Sequence, residues 1–536
     1  MYNNRNKISF VFLLPIILFF LFECFSREIG IERLYNVFEN VLFASVLIIV
    51  SFFIKSQKTK SIYLKSAIVL FIICLFLETF YFYHFESVFS VSSMFVLFET
   101  NNIEAKEFLI AYFNSYIIVI AVFSVLLIIW SLRCFNSDVG SLEVSKALKV
   151  KLILIVLSIL FFLKITKLIV YNVPYLAVKT PISYFQEMQK FKAYGRENTL
   201  GNFTNVRRKN EVNDKELYII IVGESASRAH FQLSSDYYRE TTPLLNSIKD
   251  EILVLKDVIS PHVYTIGALS KGLTLGNAEN PDGKYKGSII QLLNQAGFTT
   301  YWLSNQRPIG ISDTQVTKIA KGANTTVFLN INHTREKTPY DEVLLDELNM
   351  ILLEDGNKKV VFLHMIGSHF YYKMRYPEKF NIFKNTPKTQ FKRPEVYETI
   401  NAYDNSIRYT DSIVSEVVKI SKKQEGQSFI LYFSDHGQEV YDEIDFFGQT
   451  VDQMVTKNMY DIPMFLWMND GYRLHNELVD NSNKKYMTDD ILHSIADLCG
   501  VKSNETDSTR SIFNASFKER KRIIKDDLNY DTHFKK

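Results

Sequence analysis

The sequence predicts two architectures joined in one chain: five membrane-spanning helices, then an α/β domain whose mostly parallel sheet is sandwiched by helices. Three observations predict this. Nearly all the long apolar runs lie before residue 175. Beyond that point short apolar runs alternate with helical patterns, the order that builds a parallel sheet. Two of the short runs end abruptly in Gly223-Glu224-Ser225 and Ser434-Asp435-His436-Gly437, and an α/β sheet presents its reactive groups at the carboxyl ends of strands.

The membrane half comes first. A helix needs ~20 apolar residues to cross a bilayer, and five stretches qualify: Ile8–Phe25, Val37–Ile54, Ala67–Tyr83, Phe108–Leu132 and Leu152–Tyr171. The first has no small-residue cleavage site and four more follow it, so it reads as a span rather than a signal peptide. Lys and Arg mark the cytoplasmic side. Arg5 and Lys7, then Lys55, Lys58, Lys60 and Lys65, then Arg133, Lys146, Lys149 and Lys151, place the N-terminus and the second and fourth loops there. The acidic third loop, Glu86 to Glu107, and everything after Tyr171 fall on the opposite side, outside the cytoplasmic membrane. No charged residue stands at the centre of the early spans, and Lys164 and Lys167 near the last can snorkel, which argues against a transporter. In the third loop, Thr100 as N-cap with Glu104 in the next turn reads most simply as a helix start.

Residues 173–214 form a connector between the membrane domain, 1–172, and the soluble domain, 215–536. Pro174 and Pro181 interrupt the last span. Ile182, Phe185, Met188 and Phe191 then recur at helical spacing, the pattern of an amphipathic helix lying on a membrane surface or packed on the soluble domain. Arg196 to Asp214 is a polar linker.

In the soluble half the strand candidates are Leu217–Val222, Val254–Ile259, Thr299–Leu303, Val360–His364, Phe429–Phe433 and Pro463–Trp467. Helical patterns cover Ser288–Ala296, Tyr340–Leu353 and Val396–Ile420. In the last, Asp404, Arg408 and Asp411 share a face and read as a solvated or scaffold stripe. The polar stretch after Val501 has the composition of a partly ordered tail. The net charge of +3 gives no footprint for nucleic acid. Four scattered cysteines make neither a disulfide framework nor a Cys-x-x-Cys metal site.

The chemistry converges on the two strand ends. Asp435 and His436 offer an oxygen and an imidazole from one strand, and Glu224 adds a second oxygen from another, a set that suits a borderline dication with an open position. A metal activates a hydroxyl in that position. Ser225, Ser227 and Thr265 are the candidates. The first two read as N-caps, whereas Thr265 starts a helix whose dipole favours an anion. Gly-Glu-Ser-Ala-Ser lacks the closing glycine of a nucleophile elbow, which argues against a Ser-His-Asp hydrolase.

Seven segments together resemble one family: GESASR at 223–228, YYRETTP at 237–243, SPHVYT at 260–265, WLSNQ at 302–306, HMIGSH at 364–369, YDNSIRYTD at 403–411 and SDHG at 434–437. They are similar to the alkaline phosphatase/sulfatase-like domain of bacterial phosphoethanolamine transferases, whose five spans also match. GES in place of GET, and the scarcity of cysteine in the soluble half, resemble the branch that modifies the lipopolysaccharide core. The resemblance implies that Glu224, Thr265, Asp435 and His436 bind Zn2+, with Thr265 also the nucleophile that carries phosphoethanolamine covalently. It implies that His369 holds the phosphoryl group or assists the leaving group, and that Thr100 and Glu104 contact the ethanolamine ammonium. Asn305 and Gln306 lie near the substrate in the same reading. Two departures stand out: Gln449 where a second histidine is expected, and Val96 where some relatives have a polar residue. Gln449 can donate a hydrogen bond but cannot move a proton.

The function so implied is transfer of phosphoethanolamine from phosphatidylethanolamine to lipopolysaccharide, on a core sugar or lipid A, by a zinc enzyme of the inner membrane acting as a monomer among membrane lipids. Two alternatives remain at this stage: a phosphoglycerol transferase of the lipoteichoic-acid synthase type, and a membrane sensor that kept the fold without catalysis.

Overall fold

The computed structural model describes the chain except residues 1, 86–87, 90–93, 95–101, 136–144, 191–197, 210–214, 307–313, 331–337, 451–454, 477, 526 and 536. It forms two compact units, 1–98 with 109–186 and 452–454, and 99–108 with 187–451 and 455–536.

The chain up to Lys190 is helical where described. α1 (Tyr2–Ser26), α2 (Ile31–Ser51) and α3 (Gln57–Phe85) are followed by α4 (Asn102–Tyr112), α5 (Ser115–Cys134), α6 (Lys146–Ile165) and α7 (Val173–Lys190). Four of the described helices, with spans Asn6–Ser26, Ile31–Ser51, Gln57–Phe85 and Ser115–Cys134, are long and apolar enough to cross a membrane. α6 forms at the fifth predicted span with Lys146, Lys149, Lys151 and Lys164 along it. Three expectations shift. The predicted span Phe108–Leu132 is divided, because the Asn114 side chain accepts from Ile117 N and starts a new helix. The last span stops at Ile165, where Lys167 takes a left-handed conformation (φ 60°) and a short 3-10 turn follows. And charge does enter the early spans: Glu23, Arg33, Glu39 and Glu78 are all buried in the bundle.

α7 runs through Pro181, while Pro174 is accommodated in its first turn, where no backbone donor is required.

The second unit is built on a seven-stranded sheet. In chain order its strands are β1 (Glu216–Gly223), β2 (Ile252–Leu255), β3 (Thr299–Ser304), β4 (Thr325–Phe328), β5 (Lys358–His364), β6 (Gln427–Ser434) and β7 (Met464–Met468), in spatial order β2-β7-β6-β1-β5-β3-β4. β1, β3, β4, β5 and β6 run parallel; β7 is antiparallel to both β6 and β2. β1 and β6 are buried along their whole length, so they read as continuous apolar runs. The pleat still sorts their side chains. Tyr218, Ile220, Val222, Phe429, Leu431 and Phe433 enter one core, whereas Leu217, Ile219, Ile221, Ile430 and Tyr432 enter the other. Helices cover both faces, α8 (Thr265–Gly272), α9 (Ile289–Gln295) and α12 (Ile491–Leu498) on the first, α10 (Val343–Leu353) and α11 (Pro394–Lys422) on the second.

One sequence expectation narrows here and another fails. Of the two readings of the α11 face that carries Asp404 and Asp411, the scaffold one holds, since both residues are buried, at 0% and 1% exposure. The stretch after Val501 is ordered: Arg522 clamps Asp257 (2.6 Å) and Asp531 (2.6 Å), and Tyr530 bonds Asp461. Long-range ion pairs and Tyr530 burial supply what the local composition lacks.

Candidate metal and nucleophile site

β1 and β6 are parallel neighbours with Gly223 opposite Ser434. That register brings the residues just beyond them, Glu224 on one side and Asp435 and His436 on the other, to one point on the sheet's carboxyl edge. Asp435 N donates to Gly223 O (3.1 Å), and Asp435 Oδ1 accepts from Ser225 N (3.0 Å) and His436 N (2.7 Å). One carboxylate oxygen thus stitches the two strand ends together and leaves the other facing the site.

The three facing atoms form a donor set. His436 Nε2 lies 3.4 Å from Glu224 Oε1 and 3.4 Å from Asp435 Oδ2. The three side chains are buried and their ligand atoms lie within 4.8 Å of one another, the group among the described residues that could hold a metal. Asp435 Oδ2 and His436 Nε2 have no hydrogen-bond partner although both are buried. Orphaned buried acceptors are costly, and a dication at their common focus would satisfy them. His436 Nδ1 sits 2.8 Å from Gly437 O; that contact keeps the proton on Nδ1 and the Nε2 lone pair toward the site, as a metal-binding imidazole requires.

Electrostatics agree. Burial, reinforced by the charge of Glu224, pushes Asp435 up to about 8. Burial alone would lower His436, but the charges of Asp435 and Glu224 outweigh it and raise it to about 9. Burial would raise Glu224, yet the hydrogen bond and charge of His436 hold it well below the usual carboxylate range. Three groups packed this tightly share protons, and a cation relieves the same repulsion.

Thr265 opens α8, and its hydroxyl donates to Glu224 Oε2 (3.1 Å). The other candidate hydroxyls are placed differently. Ser227 caps the 3-10 turn Arg228–His230 by accepting from Ala229 N (3.3 Å). Ser225 is not a cap. Its backbone is left-handed (φ 58°) and its hydroxyl donates to Glu224 Oε1 (2.6 Å), strain of the kind that collects at functional sites.

The turn after β5 closes the site. Ser368 N donates to Glu224 O (3.0 Å), and Gly367 has φ +45°, with a Cβ there falling 2.8 Å from Glu224 O. Only glycine fits that approach. Gly223 is needed for space rather than for a turn: a Cβ would meet the Tyr432 hydroxyl at 2.4 Å. His369 follows this turn, half-buried, with Nδ1 unpartnered and burial holding the ring near 4. Its carbonyl accepts from Arg375 Nε (3.0 Å), and Arg375 is ion-paired with Glu107 of α4, within the second unit.

The remaining predicted residues divide. Gln306 Nε2 donates to Glu224 Oε2 (2.7 Å) and Met365 O (2.9 Å), so it belongs to the site. Asn305 stands behind it. Its amide donates to Asp341 Oδ1 (2.9 Å) and Pro339 O (2.9 Å), and Asp341 accepts from Ile366 N and Gly367 N; Asn305 therefore braces the Gly367 turn instead of facing the site. Gln449 accepts from Gln438 Nε2 (2.6 Å). Thr100 lies outside the described residues, as does the side chain of Glu104 on α4.

Sequence reasoning missed Gln438 and Tyr372. Gln438 Nε2 donates to Ser225 Oγ (2.9 Å) and to Gln449, while its carbonyl accepts from the Tyr372 hydroxyl. A directed chain of hydrogen bonds therefore runs from Tyr372 through Gln438 and Ser225 to Glu224. It also missed what YDNSIRYTD does. The Tyr403 hydroxyl accepts from Ser227 N (2.7 Å) and donates to Ser225 O (2.8 Å), Asp404 grips His230 (2.6 Å) and Arg239 (2.6 Å), and Asp411 caps Leu244 and Leu245. The motif is the scaffold of the Glu224 loop.

This fold and site define an α/β enzyme of the alkaline phosphatase-like class, with a buried Glu-Asp-His cluster that could hold a metal and a threonine hydroxyl beside it. The Sulfatase family matches residues 216–501. Phosphoethanolamine transferase EptC of Escherichia coli K12 is 30% identical over 470 residues, 83% of this chain and 81% of that one. Phosphoethanolamine transferase CptA of Salmonella typhimurium is 29% identical over 472 residues, with the same coverage of 83% and 81%. Among solved structures, the periplasmic domain of the Escherichia coli EptC in complex with Zn superposes with TM-score 0.59 at 30% identity, covering 62% of this chain and 97% of that domain. The integral membrane EptA of Neisseria meningitidis, at 19% identity, shares the fold over 95% of this chain and 98% of that one, with TM-score 0.72. The chain belongs to the phosphoethanolamine transferase family and is a membrane-embedded transferase.

Proposed function

We propose that this protein transfers phosphoethanolamine from phosphatidylethanolamine to lipopolysaccharide, on a core sugar or lipid A, with its second unit on the periplasmic side of the inner membrane. The observation that carries the proposal is the Thr265 hydroxyl donating to a buried carboxylate that is itself one corner of the metal cluster. Membership in the family favours this over phosphoglycerol transfer, and the complete set of nucleophile and ligands opposes a sensor without catalysis.

Glu224, Asp435 and His436, with Thr265 as the fourth ligand, would hold Zn2+; the donor set of two carboxylates, one imidazole and one hydroxyl suits it. The bound ion would supply Lewis acidity that lowers the pKa of the hydroxyl and offsets charge on the phosphoryl group. In the first step a Thr265 Oγ–P bond forms and the P–O bond to diacylglycerol breaks, with diacylglycerol taking a proton. In the second, an acceptor hydroxyl or phosphate oxygen bonds phosphorus as the Thr265 Oγ–P bond breaks, and Thr265 Oγ takes back a proton. Glu224 Oε2 receives hydrogen bonds from Thr265 and Gln306, while Ser225 holds Glu224 Oε1. His369, neutral at pH 7, presents an imidazole to the phosphoryl oxygens, as a preorganised donor should. Glu104 and Thr100 would contact the ammonium of the donor headgroup, Gln306 would line the phosphoryl site, and Gln449 would offer its amide there in place of an acid.

Cells expressing the protein should carry one added phosphoethanolamine on their lipopolysaccharide by mass spectrometry, and Thr265→Ala should abolish it. Unmodified core and lipid A with the wild type would refute the acceptor; an unchanged product with Thr265→Ala would refute the mechanism.

A further inference from the structure

The first unit contains a polar cluster that the transfer reaction above does not use. Arg33 on α2 holds Glu23 of α1 through two bonds (2.7 and 2.5 Å) and Glu78 of α3 at 3.1 Å. Asn40 donates to Glu78 (2.7 Å) and Thr79 to Glu23 (2.5 Å). One face of α2 then meets the turn after α6: Asn36 donates to Tyr171 O (3.3 Å), and Asn172 donates to Glu39 Oε1 (2.9 Å). Three carboxylates, Glu23, Glu39 and Glu78, are thus buried in the bundle, and Arg33 pairs with two of them, Glu23 and Glu78.

Two acceptors are left over. Glu39 Oε2 and Asn36 Oδ1 are buried with no hydrogen-bond partner, on residues 0% and 1% exposed. They are three residues apart, hence on one face of α2, and both residues bond the same Tyr171–Asn172 turn. Inside a membrane protein an unpaired carboxylate oxygen is expensive and marks a site. The surplus is one of acceptors, so the missing group is one that brings N–H donors. A primary ammonium, with three donors, matches. Ca2+ takes 6–8 oxygen ligands and Mg2+ demands an octahedron; two free acceptors are too few.

All three carboxylates sit in the half of the bundle away from the Lys55, Lys58, Lys60 and Lys65 loop: Glu39 eight residues into α2, Glu23 near the end of α1 and Glu78 near the end of α3.

We infer that Glu39 and Asn36, backed by Glu78, form a binding site for the primary ammonium of an aminophospholipid, separate from the contact assigned to Glu104. The choice of a lipid headgroup rests on the transferase reading; the ammonium chemistry rests on the helices alone.

The test uses full-length protein carrying Thr265→Ala and Glu104→Gln, which removes turnover and the other ammonium contact. It is titrated with phosphatidylethanolamine, phosphatidylcholine and free ethanolamine, and retained lipid is read by native mass spectrometry. Phosphatidylethanolamine should be retained over phosphatidylcholine, whose trimethylated nitrogen has no N–H. Adding Glu39→Gln should lower that retention about tenfold with the unfolding temperature maintained, and Asn36→Leu should lower it too. Displacement by free ethanolamine would assign recognition to the amine alone, and resistance to it would assign recognition to the whole headgroup; either supports an ammonium site. Equal retention of the two lipids, or retention unchanged by both substitutions, would overturn the inference and leave Glu39 a structural carboxyl. Because the protein is inactive throughout, a failure here is separable from a failure of the transfer reaction.

Discussion

At the scale of single residues, the site separates what carries chemistry from what aims it. Glu224, Thr265, Asp435 and His436 were legible in the sequence because each follows a strand or starts a helix, where reactive groups are exposed by geometry. Gln438, Ser225 and Tyr372 were not, because their roles consist of contacts between segments 66 to 213 residues apart. Gln438 uses both amide hydrogens and its carbonyl, so its orientation is fixed, and it fixes Ser225 and Gln449 in turn. Partners behind metal ligands typically contribute 10–100-fold in metal affinity or activity. Gln438→Leu should therefore weaken Zn2+ affinity, measured by chelator competition, and transferase activity by about tenfold or more. Wild-type values for both would remove Gln438 from the account. Asn305 is a polar residue in a recognised motif whose amide braces a turn, a role that the Asp341 contact reveals.

At the scale of elements, strands were read well and breaks poorly. A fully buried strand announces itself by an unbroken apolar run, as β1, β3, β5, β6 and β7 do. β2 and β4 are short edge-side strands with half-buried residues, and their sequences carry a weaker pattern. The division of one predicted span hinges on a single capping residue, Asn114. α11 was placed correctly, but its polar stripe was left open between a solvated and a scaffold face, since amphipathic spacing cannot tell water from a buried partner. That partner is His230, between Asp404 Oδ1 (2.6 Å) and Asp442 Oδ1 (3.1 Å). Burial would lower His230, but the charges of Asp442 and Asp404 outweigh it and raise it to about 10. A folded-state value above the unfolded one, near 6.5, stabilises fully below that pH and loses its contribution as pH rises through about 10. The unfolding temperature should thus fall between pH 7 and 10, and His230→Asn should be less stable at pH 7 with a flatter profile over that interval. A variant that keeps the wild-type slope would show that His230 is not charged in the fold.

At the scale of the whole molecule, the chain joins apolar helices to a sheet whose carboxyl edge carries the candidate metal site. Composition alone announced the division, since apolar runs concentrate before residue 175 and strand patterns follow. What composition hid was charge inside the bundle. Glu23, Glu39 and Glu78 lie in apolar surroundings along the sequence and find Arg33, Asn40 and Asn172 only when the helices assemble. The ordered chain beyond Val501 was hidden for the same reason, its order coming from ion pairs such as Arg522 with Asp257. Both halves matter to one claim, that a lipid headgroup is moved onto Thr265 and then onward. The most direct measurement is mass analysis of the peptide carrying Thr265 after the purified protein meets phosphatidylethanolamine without acceptor. The account predicts the added mass of one phosphoethanolamine on Thr265, removed when lipopolysaccharide is supplied. An unmodified Thr265 under conditions where lipopolysaccharide does become modified would contradict it.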